Sequence, residues 1–317
     1  TSADLWHQKP YYSLDAWCKN TYGRKLYKAA LDIGCTCPNR DGTLDTRGCI
    51  FCSAGGSGDF AASRQLSVTD QLNQAKALLS SKWTPEPGKP SLIAYFQAYT
   101  NTYGDPDRLL SCYEEALSSP EVAGISIATR PDCLSDIILE GLDRLRLLYP
   151  DRFIWIELGL QSIHDHTAAR IRRGYPTSVF YDAAAKLHAR KLPFIVHLIL
   201  GLPGETRLDL QESIRAVNQV HPFGVKLQLL HILKGTDLAL LYESGKLPVL
   251  TQEEYLDLLT SCIAALSPDI CLHRITGDGP RKLLIAPQWS LSKRNVLNRL
   301  HALMKQRNLR QGDKIEK

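Results

Sequence analysis

The stretch of residues 32–61 holds four of the nine cysteines in the chain, and this density is the strongest chemical signal in the sequence. Cys35, Cys37, Cys49 and Cys52 form the pattern C-x-C-x11-C-x2-C. A stretch so rich in Gly and Asp cannot form one regular element, so we expect a loop whose shape is fixed by whatever its cysteines bind. Four thiolates suit a tetrahedral structural zinc as well as they suit iron and sulfur. The spacing alone predicts a metal site and leaves the metal open.

The rest of the chain must position this loop, and it alternates short apolar runs with amphipathic helical stretches. Strands are predicted at 26–33, 91–97, 122–129, 153–161, 194–202 and 224–233, and helices at 68–81, 106–118, 135–148, 177–190 and 206–220. Near-continuous Val, Ile and Leu strands between helices indicate a parallel sheet that is buried on both faces. Six β/α repeats therefore predict an α/β fold that is closed or nearly closed into a barrel.

Polar residues follow the predicted strands at the point where each strand ends. They are Gln97 and Tyr99–Tyr103 after the second strand, Thr129, Arg130 and Asp132 after the third, Glu157, Gln161 and Ser162 at the fourth, His197, Gly201 and Glu205 at the fifth, and Gln228 and His231 at the sixth. For any one position a helix cap or a turn is the plain explanation. Their convergence on one rim predicts a site at the carboxyl ends of the strands.

Composition and charge limit the class of protein, its binding partners and its location in the cell. The net charge of +5, the hydrophobic fraction of 44% and the charged fraction of 22% are ordinary for a soluble globular protein and permit binding of phosphate backbones without demanding it. The sequence has no apolar run near eighteen residues and no charged-then-apolar leader, so we expect no membrane contact. Scattered single cysteines fit a reducing, cytoplasmic location, and the five outside the loop are expected to be small buried hydrophobes.

The residues around the cysteines carry a family resemblance. The runs TCPNRDG and GC-x-FC, with Phe51 directly before the last cysteine, resemble the cluster loop of radical S-adenosylmethionine (SAM) enzymes, specifically small bacterial proteins related to the catalytic subunit of Elongator. The patterns HRITGDGP and LLIAP-W-S-x-x-K near the end of the chain are shared too, so the resemblance covers nearly all of it. One departure is the spacing between the first two ligands, which is eleven residues where most radical enzymes have three.

The resemblance implies a partial (β/α)6 TIM-type barrel in residues 1–235, with the cluster loop at 34–60, and a C-terminal helical extension at 236–317 that closes the barrel mouth. It also implies that Cys37, Cys49 and Cys52 ligate a [4Fe–4S] cluster whose remaining iron is chelated by SAM. Cys35 is then a bystander, a fourth ligand of the resting state, or evidence for the zinc alternative.

The same resemblance assigns SAM contacts by place. The YTNTYG segment would hold the amino group, and Glu157 and Gln161 would take the ribose hydroxyls. Arg173 would hold the methionine carboxylate unless it is a surface arginine paired with a nearby helix. The HLILGLPGE strand would pack against adenine. The predicted SAM-binding residues are Tyr99, Thr100, Asn101, Thr129, Glu157, Gln161, Arg173, Gly201 and Glu205.

The chemistry implied is cleavage of SAM to a 5′-deoxyadenosyl radical that abstracts hydrogen from the substrate, with electrons from a donor such as flavodoxin or ferredoxin. Relatives of this type imply the anticodon stem-loop of tRNA as partner and conversion of a carboxymethylaminomethyl group at C5 of the wobble uridine to aminomethyl. A radical enzyme acting on a small metabolite or peptide, and a zinc-stabilised nucleic-acid-binding protein without catalysis, are the alternatives. Phosphate contacts, or merely a solvated face, are expected from Lys282, Lys293, Arg294, Arg299, Lys305 and Arg307.

Overall fold

Seven parallel strands form a curled half-barrel with helices packed on its outside. The computed structural model describes residues 5–79, 86, 88–277 and 279–315. The strands of the main sheet lie in the order β1-β2-β3-β4-β5-β6-β8, and β7 pairs with β9 in a separate antiparallel ribbon. The strands are β1 (Tyr27–Leu31), β2 (Leu92–Phe96), β3 (Val122–Thr129), β4 (Phe153–Gln161), β5 (Phe194–Leu200), β6 (Gly224–Leu229), β7 (Ile232–Leu233), β8 (Cys271–Arg274) and β9 (Leu284–Ala286).

The helices begin where polar residues can cap them. Ser135 accepts a hydrogen bond from the Ile138 N–H, and Thr206 and Thr251 each form a reciprocal capping box three residues into their helices. The helices are α1 (Leu14–Tyr22), α2 (Val68–Leu79), α3 (Pro106–Ser118), α4 (Asp136–Leu148), α5 (Asp165–Arg170), α6 (Thr177–Ala189), α7 (Arg207–Val220), α8 (Asp237–Glu243), α9 (Gln252–Ala265) and α10 (Lys293–Gln306).

The predicted half-barrel is confirmed, and most element bounds agree with the sequence pattern. Strands β3 and β4 and helix α3 have the predicted ends, while α4 and α7 begin one residue later because Ser135 and Thr206 are their caps. The last two residues of the helix predicted at 68–81 lie outside the described residues.

The predicted number of strands is wrong by one. The sixth strand ends at Leu229, and β8 adds a seventh strand parallel to β6, from the segment expected to form a helical extension. This strand has only four residues, and its last two, His273 and Arg274, interrupt the apolar run that marks the other strands. Nothing in a four-residue run distinguishes a strand from a loop, so the pattern did not show it.

An aromatic cluster fills the amino-terminal end of the half-barrel. Trp17 on α1 makes edge contacts with Phe153, Trp155 and Phe223, which lie at or beside the first residues of β4 and β6. A Cβ at Gly124 would lie 2.4 Å from the Phe153 ring, so this glycine is required by the close packing. The cluster seals one end of the sheet and leaves the carboxyl ends of the strands for a site.

The segment after β6 packs against the cysteine-rich loop. The Leu238 N–H donates to the Ile50 carbonyl over 2.9 Å, and Asp237 at the start of α8 forms ion pairs with Arg47 and Arg172. Ile50, Leu238 and Ala286 belong to one buried apolar cluster. Within the described ranges, no helix combines the length and the apolar character needed to cross a membrane.

Candidate metal and cofactor site

A cavity with about 800 Å³ of empty space, its mouth included, opens at the carboxyl ends of β2 to β5. The cysteine-rich loop that follows β1 forms one wall, and its lining includes three cysteines. The predicted site residues that line it are Cys37, Cys49, Cys52, Tyr99, Thr100, Thr129, Glu157, Gln161 and Arg173.

The loop holds its shape through side chains that bind its backbone. The Arg40 guanidinium donates to the carbonyls of Cys52 and Ser53 over 2.9 and 2.7 Å. The Asn39 amide donates to the Arg172 carbonyl over 2.7 Å and lies 3.6 Å from the Cys49 sulfur. These contacts fix the cysteines relative to the sheet without any regular secondary structure.

The glycine-rich end of the loop docks on Tyr99. The Tyr99 N–H donates to the Gly56 carbonyl over 2.8 Å, and its hydroxyl donates to the Ala54 carbonyl over 2.5 Å. Gly56 has φ +58°, and a Cβ there would lie 2.3 Å from the Tyr99 ring. Tyr99 itself has φ +61°. Its backbone N–H and its hydroxyl are both committed to the loop, so Tyr99 positions the cysteines.

The donor set at this cavity is all sulfur and suits a cluster of several metal atoms. Cys37, Cys49 and Cys52 are half-buried free thiols. Sulfur atoms around one zinc ion lie about 3.8 Å apart. Within the described part of the chain, the set of three ligating groups that all lie within 4.8 Å of one another is His164, Asp209 and Glu212, away from this cavity. Thiolates are the ligands of iron–sulfur clusters, so the three cysteines fit a cluster.

Burial works against ionisation of two of these thiols, and neighbouring guanidinium groups partly offset it. Burial raises the pKa of the Cys49 thiol to about 12, against the opposing charge of Arg130 and a hydrogen bond from Asn39. Burial also raises the pKa of Cys52, against the charge of Arg40. A metal must displace these protons, and the two guanidiniums stabilise the thiolates that result.

Cys35 lies apart from the three others. Its side chain is 3% exposed, belongs to the main hydrophobic core and does not line the cavity. Burial raises the pKa of its thiol to about 11, although Arg108 opposes this. Of the three alternatives that the sequence left open, the position of Cys35 favours a bystander.

Glu157 lies at the floor of the cavity, fully buried in a network of charged and polar groups. Its carboxylate accepts from Ser126 Oγ over 2.8 Å and from Lys28 Nζ over 3.3 Å, forms an ion pair with Lys226, and lies 2.6 Å from His197 Nε2. Although burial opposes ionisation, Lys226 and Lys28 hold the Glu157 pKa well below its usual range. Both carboxylate oxygens thus have protein partners already, and the predicted direct contact with ribose hydroxyls stays a prediction.

Arg173 lines the cavity and is buried, so it is not the surface arginine of the alternative interpretation. Its side chain is 1% exposed, and its guanidinium donates to the carbonyls of Leu160, Ser162 and Tyr175 and to the Thr177 hydroxyl. These bonds engage all five N–H groups. The guanidinium thus joins the end of β4 to the start of α6, and its predicted role of holding a cofactor carboxylate stays a prediction.

Three other predicted contacts do not reach the cavity. The buried Asn101 amide donates to the carbonyls of Phe96 and Ala128, over 3.0 Å each, and so joins the ends of β2 and β3. Glu205 bonds to the Ser162 hydroxyl, and burial raises its pKa. Gly201, at φ +89°, is a turn residue beside Leu250. Each of these three residues stabilises a connection after a strand, at the rim of the cavity, and does not line the interior of the cavity.

The remaining predicted residues keep cavity positions. The Thr129 hydroxyl lies 2.6 Å from that of Thr102, and the Thr100 N–H donates to the Thr36 carbonyl over 3.1 Å. Gln161 has φ +62°, and its side-chain amide lies beside the carbonyls of Gly159 and Leu160.

Sequence reasoning missed Lys28 and Lys226, which project into the network from β1 and β6. A lysine inside an apolar strand was the available signal, because a buried lysine requires a buried partner. Nothing in the local sequence of Arg40 shows that its side chain binds the loop backbone.

Comparisons with known proteins agree with this arrangement. A family model of the Radical SAM superfamily matches residues 37–217, and one of the Radical_SAM C-terminal domain matches residues 222–306. The chain is 41% identical to "Uncharacterized protein YtqA" of Bacillus subtilis, over 96% of this chain and 92% of that protein. It is 26% identical to Elongator complex protein 3 of Mus musculus, over 53% of this chain and only 30% of that protein. The solved structure of the archaeal Methanocaldococcus infernus Elp3 with an N-terminal deletion has a similar fold, with a TM-score of 0.64 at 17% identity, covering 78% of this chain and 61% of that chain.

Proposed function

This chain belongs to the Radical SAM superfamily, and from that premise we propose that its substrate is the wobble uridine of a tRNA, in which it converts a C5 carboxymethylaminomethyl group to aminomethyl. Enzymes of this family use a [4Fe–4S] cluster and SAM and need an external electron donor. When bound, the two groups supply a carbon-centred radical that takes hydrogen from the substrate.

The observation that carries the proposal is the meeting of three thiols with strand-end residues in one cavity. Cys37, Cys49 and Cys52 are the proposed cluster ligands, and all three line the cavity. Arg40 holds the loop that carries them, and Tyr99 fixes its glycine-rich end. We propose SAM contacts at Tyr99, Thr100, Thr129 and Gln161, all of which line the same cavity.

The charged network around Glu157, at the floor of the cavity, orients a histidine that lines the cavity. Glu157 keeps two lysines paired in the interior of the half-barrel, and its bond with His197 orients an imidazole that also lines the cavity. Burial and the neighbouring Lys226 lower the His197 pKa to about 4, so this imidazole is neutral at pH 7. A neutral ring has one nitrogen that donates and one that accepts, and the bond to Glu157 makes Nε2 the donor. Nδ1 is then an acceptor for a hydroxyl bound in the cavity.

The choice of tRNA rests on similarity to Elongator complex protein 3, which extends over about half of this chain. The net charge of +5 is compatible with a polyanionic partner. We propose a cytoplasmic setting, because nine cysteines without disulfides suit a reducing compartment, and flavodoxin or ferredoxin as electron donor.

The test begins with protein reconstituted without oxygen, in which iron and zinc are counted. Dithionite and SAM are then added, and 5′-deoxyadenosine is measured with and without bulk tRNA from a strain that lacks the late wobble-uridine enzymes. About four irons per chain, tRNA-stimulated deoxyadenosine and newly formed aminomethyluridine in digested tRNA are the expected results.

The outcomes separate the alternatives. Deoxyadenosine formation that tRNA does not stimulate would contradict the tRNA proposal and favour a small metabolite or peptide. One zinc, no iron and no SAM cleavage would contradict the radical chemistry itself.

A further inference from the structure

A second chamber adjoins the cofactor cavity and shares part of its wall. The two have Phe51, Ser57 and Gln97 in common. The second chamber has about 710 Å³ of empty space, its mouth included, and lies between the end of β2, the cluster loop and the strands β5, β6 and β8. A molecule bound there would lie directly beside whatever occupies the first cavity.

Two amide side chains face this chamber from opposite parts of the sheet. Gln97 follows β2 and Gln228 lies in β6, and both are half-buried. Within the described part of the chain, neither side-chain amide has a hydrogen-bond partner. Each amide offers both donors and an acceptor, so a ligand of the chamber must present donors and acceptors on one edge.

Two aromatic rings give the chamber an apolar surface beside these amide groups. Phe60 in the cluster loop lines the chamber and is 52% exposed, which is unusual for a phenylalanine, and Phe51 lies at the shared wall. Gly58 fixes this part of the loop, because a Cβ there would lie 2.4 Å from the Ala98 methyl. An exposed ring held in place beside amide groups suits a flat aromatic ligand with a hydrogen-bonding edge.

We propose that this chamber takes a nucleobase displaced from its stack in the substrate RNA, with its ring against Phe60 and its polar edge on Gln97 and Gln228. The inference deepens the proposed function and rests on it. Enzymes that modify a base within folded nucleic acid must extrude it into a pocket that reads its edge and stacks its face. The shared wall then presents the substituent of that base to the cofactor cavity.

The experiment uses an anticodon stem-loop RNA with 2-aminopurine at the wobble position, bound to the reconstituted holoenzyme with SAM and without reductant. Fluorescence of the base reports its unstacking, and anisotropy of a terminal dye reports binding. We expect the fluorescence to change on binding only when 2-aminopurine is at the wobble position, and not when it is at another loop position.

The variants Phe60→Ala and Gln228→Ala are expected to weaken binding about tenfold and to reduce the fluorescence change. Phe60→Tyr keeps the ring and should preserve both signals. Leu44→Ala is the matched control, because Leu44 is an exposed apolar residue of the same loop, also 52% exposed, and does not line the chamber. Iron content of each variant verifies that its loop is intact.

Two results would overturn the inference, and they are distinguishable. A wild-type holoenzyme that binds the stem-loop and yields wobble-uridine product, with Phe60→Ala and Gln228→Ala unchanged in affinity and fluorescence, would refute the base chamber alone. Absence of stem-loop binding together with tRNA-independent deoxyadenosine formation would refute the proposed function and the chamber with it.

Discussion

His197 and Glu157 form a buried pair in which the carboxylate is charged and the imidazole is neutral at pH 7. Lys226 and Lys28 hold the carboxylate charged, while burial and Lys226 keep the imidazole neutral, with its pKa near 4. Such a site has two consequences. The carboxylate cannot serve as an acid at neutral pH, and the imidazole resists protonation that it would accept in the unfolded chain.

This resistance predicts acid-sensitive stability. In the unfolded chain His197 has a pKa of about 6.5, whereas in the folded protein its pKa is about 4. Between these two pH values the unfolded state therefore binds a proton that the folded state does not. The neutral His197 thus contributes to the free energy of unfolding. This contribution is complete above pH 6.5, and up to about 3 kcal/mol of it is lost as the pH falls toward 4. Denaturant unfolding of the apoprotein at pH 7.5 and pH 5 measures it.

The matched variant is His197→Gln, whose amide can still donate to Glu157 but does not titrate. We expect its free energy of unfolding to fall less between pH 7.5 and pH 5 than that of the wild type. His273, whose pKa burial also holds well below its usual range, is present in both proteins and accounts for a remaining loss in the same direction. Equal losses in the two proteins would contradict this assignment.

The cysteines give a second prediction at the residue scale. Cys37→Ala, Cys49→Ala or Cys52→Ala removes a sulfur from the cavity, so we expect each reconstituted variant to lose most of its iron and all SAM cleavage. Cys35→Ala removes a buried sulfur from the hydrophobic core, and it should retain about four irons at a cost of about 1 kcal/mol in stability. Iron analysis and the visible absorption of the reconstituted proteins measure the difference. A colourless Cys35→Ala protein would contradict the position that the structure gives this side chain.

Residue types at strand ends predicted which rim would hold the cavity, but not what each side chain does there. Glu157 and Arg173 have the residue types that bind polar ligands, and both bind protein groups. Their partners, Lys226 for one and the carbonyls of Leu160 and Ser162 for the other, depend on which backbone atoms the fold brings near. Local sequence does not contain that information.

At the scale of elements, the cysteine-rich loop depends on its contact with the segment after β2. We predict that Gly56→Ala displaces the loop from Tyr99 and reduces the iron retained after reconstitution several-fold. The added methyl would lie 2.3 Å from the Tyr99 ring, too close for any relaxed contact. The lost contact would free the end of the loop that carries Cys52.

Gly42→Ala separates this clash from backbone strain. Gly42 lies in the same loop with φ +92°, and a Cβ there would meet nothing within 4 Å. Both alanines suffer the strain of a positive φ, roughly 1–3 kcal/mol, but only the Gly56 variant suffers the clash. Iron content measured side by side tests the prediction, and equal iron loss would show that φ alone controls the loop.

Elements were predictable from sequence where length and hydrophobic pattern agree. Strands β3 and β4, with eight and nine residues, had their predicted bounds. The four-residue β8 was missed, and the run predicted as one strand at 224–233 divides into β6 and the separate β7. Continuous apolar character cannot show where a chain leaves one sheet and joins another, because both segments are buried.

At the scale of the whole molecule, the net charge of +5 overstates the cationic surface near the cavity. Arg47 and Arg172 both pair with Asp237, and Arg64 pairs with Asp32. These three arginines are thus occupied in ion pairs that fix the cluster loop. The phosphate contacts of the proposed tRNA partner must therefore come largely from other residues.

The cations expected on and near α10 divide into two groups. Arg299 pairs with Glu253 and Arg307 with Asp257, both on α9. Within the described part of the chain, Lys282, Arg294 and Lys305 form no ion pair. The first two arginines therefore stabilise helix packing, and the other three cations remain available to a polyanion.

This division predicts how tRNA binding depends on salt. The slope of log K against log salt concentration is negative, and each phosphate contact that is lost reduces its magnitude by about one. Lys282→Ala, Arg294→Ala and Lys305→Ala should therefore each weaken binding of bulk tRNA at low salt and reduce that slope. Arg299→Ala should change it less, because Glu253 already offsets the charge of that arginine.

Arg144→Ala, which removes an exposed arginine from α4, is the control for the loss of one positive charge anywhere on the surface. Titrations at several salt concentrations give the slope for each variant. If Arg144→Ala lowers the slope as much as Arg294→Ala does, the dependence reflects total charge and not a contact surface. If Arg299→Ala lowers it most, the α9–α10 ion pairs open when RNA binds, and the division of the cations would be wrong. A reduced slope confined to the three available cations would locate the RNA beside α10, where the segment that contacts the cluster loop joins the outer helices.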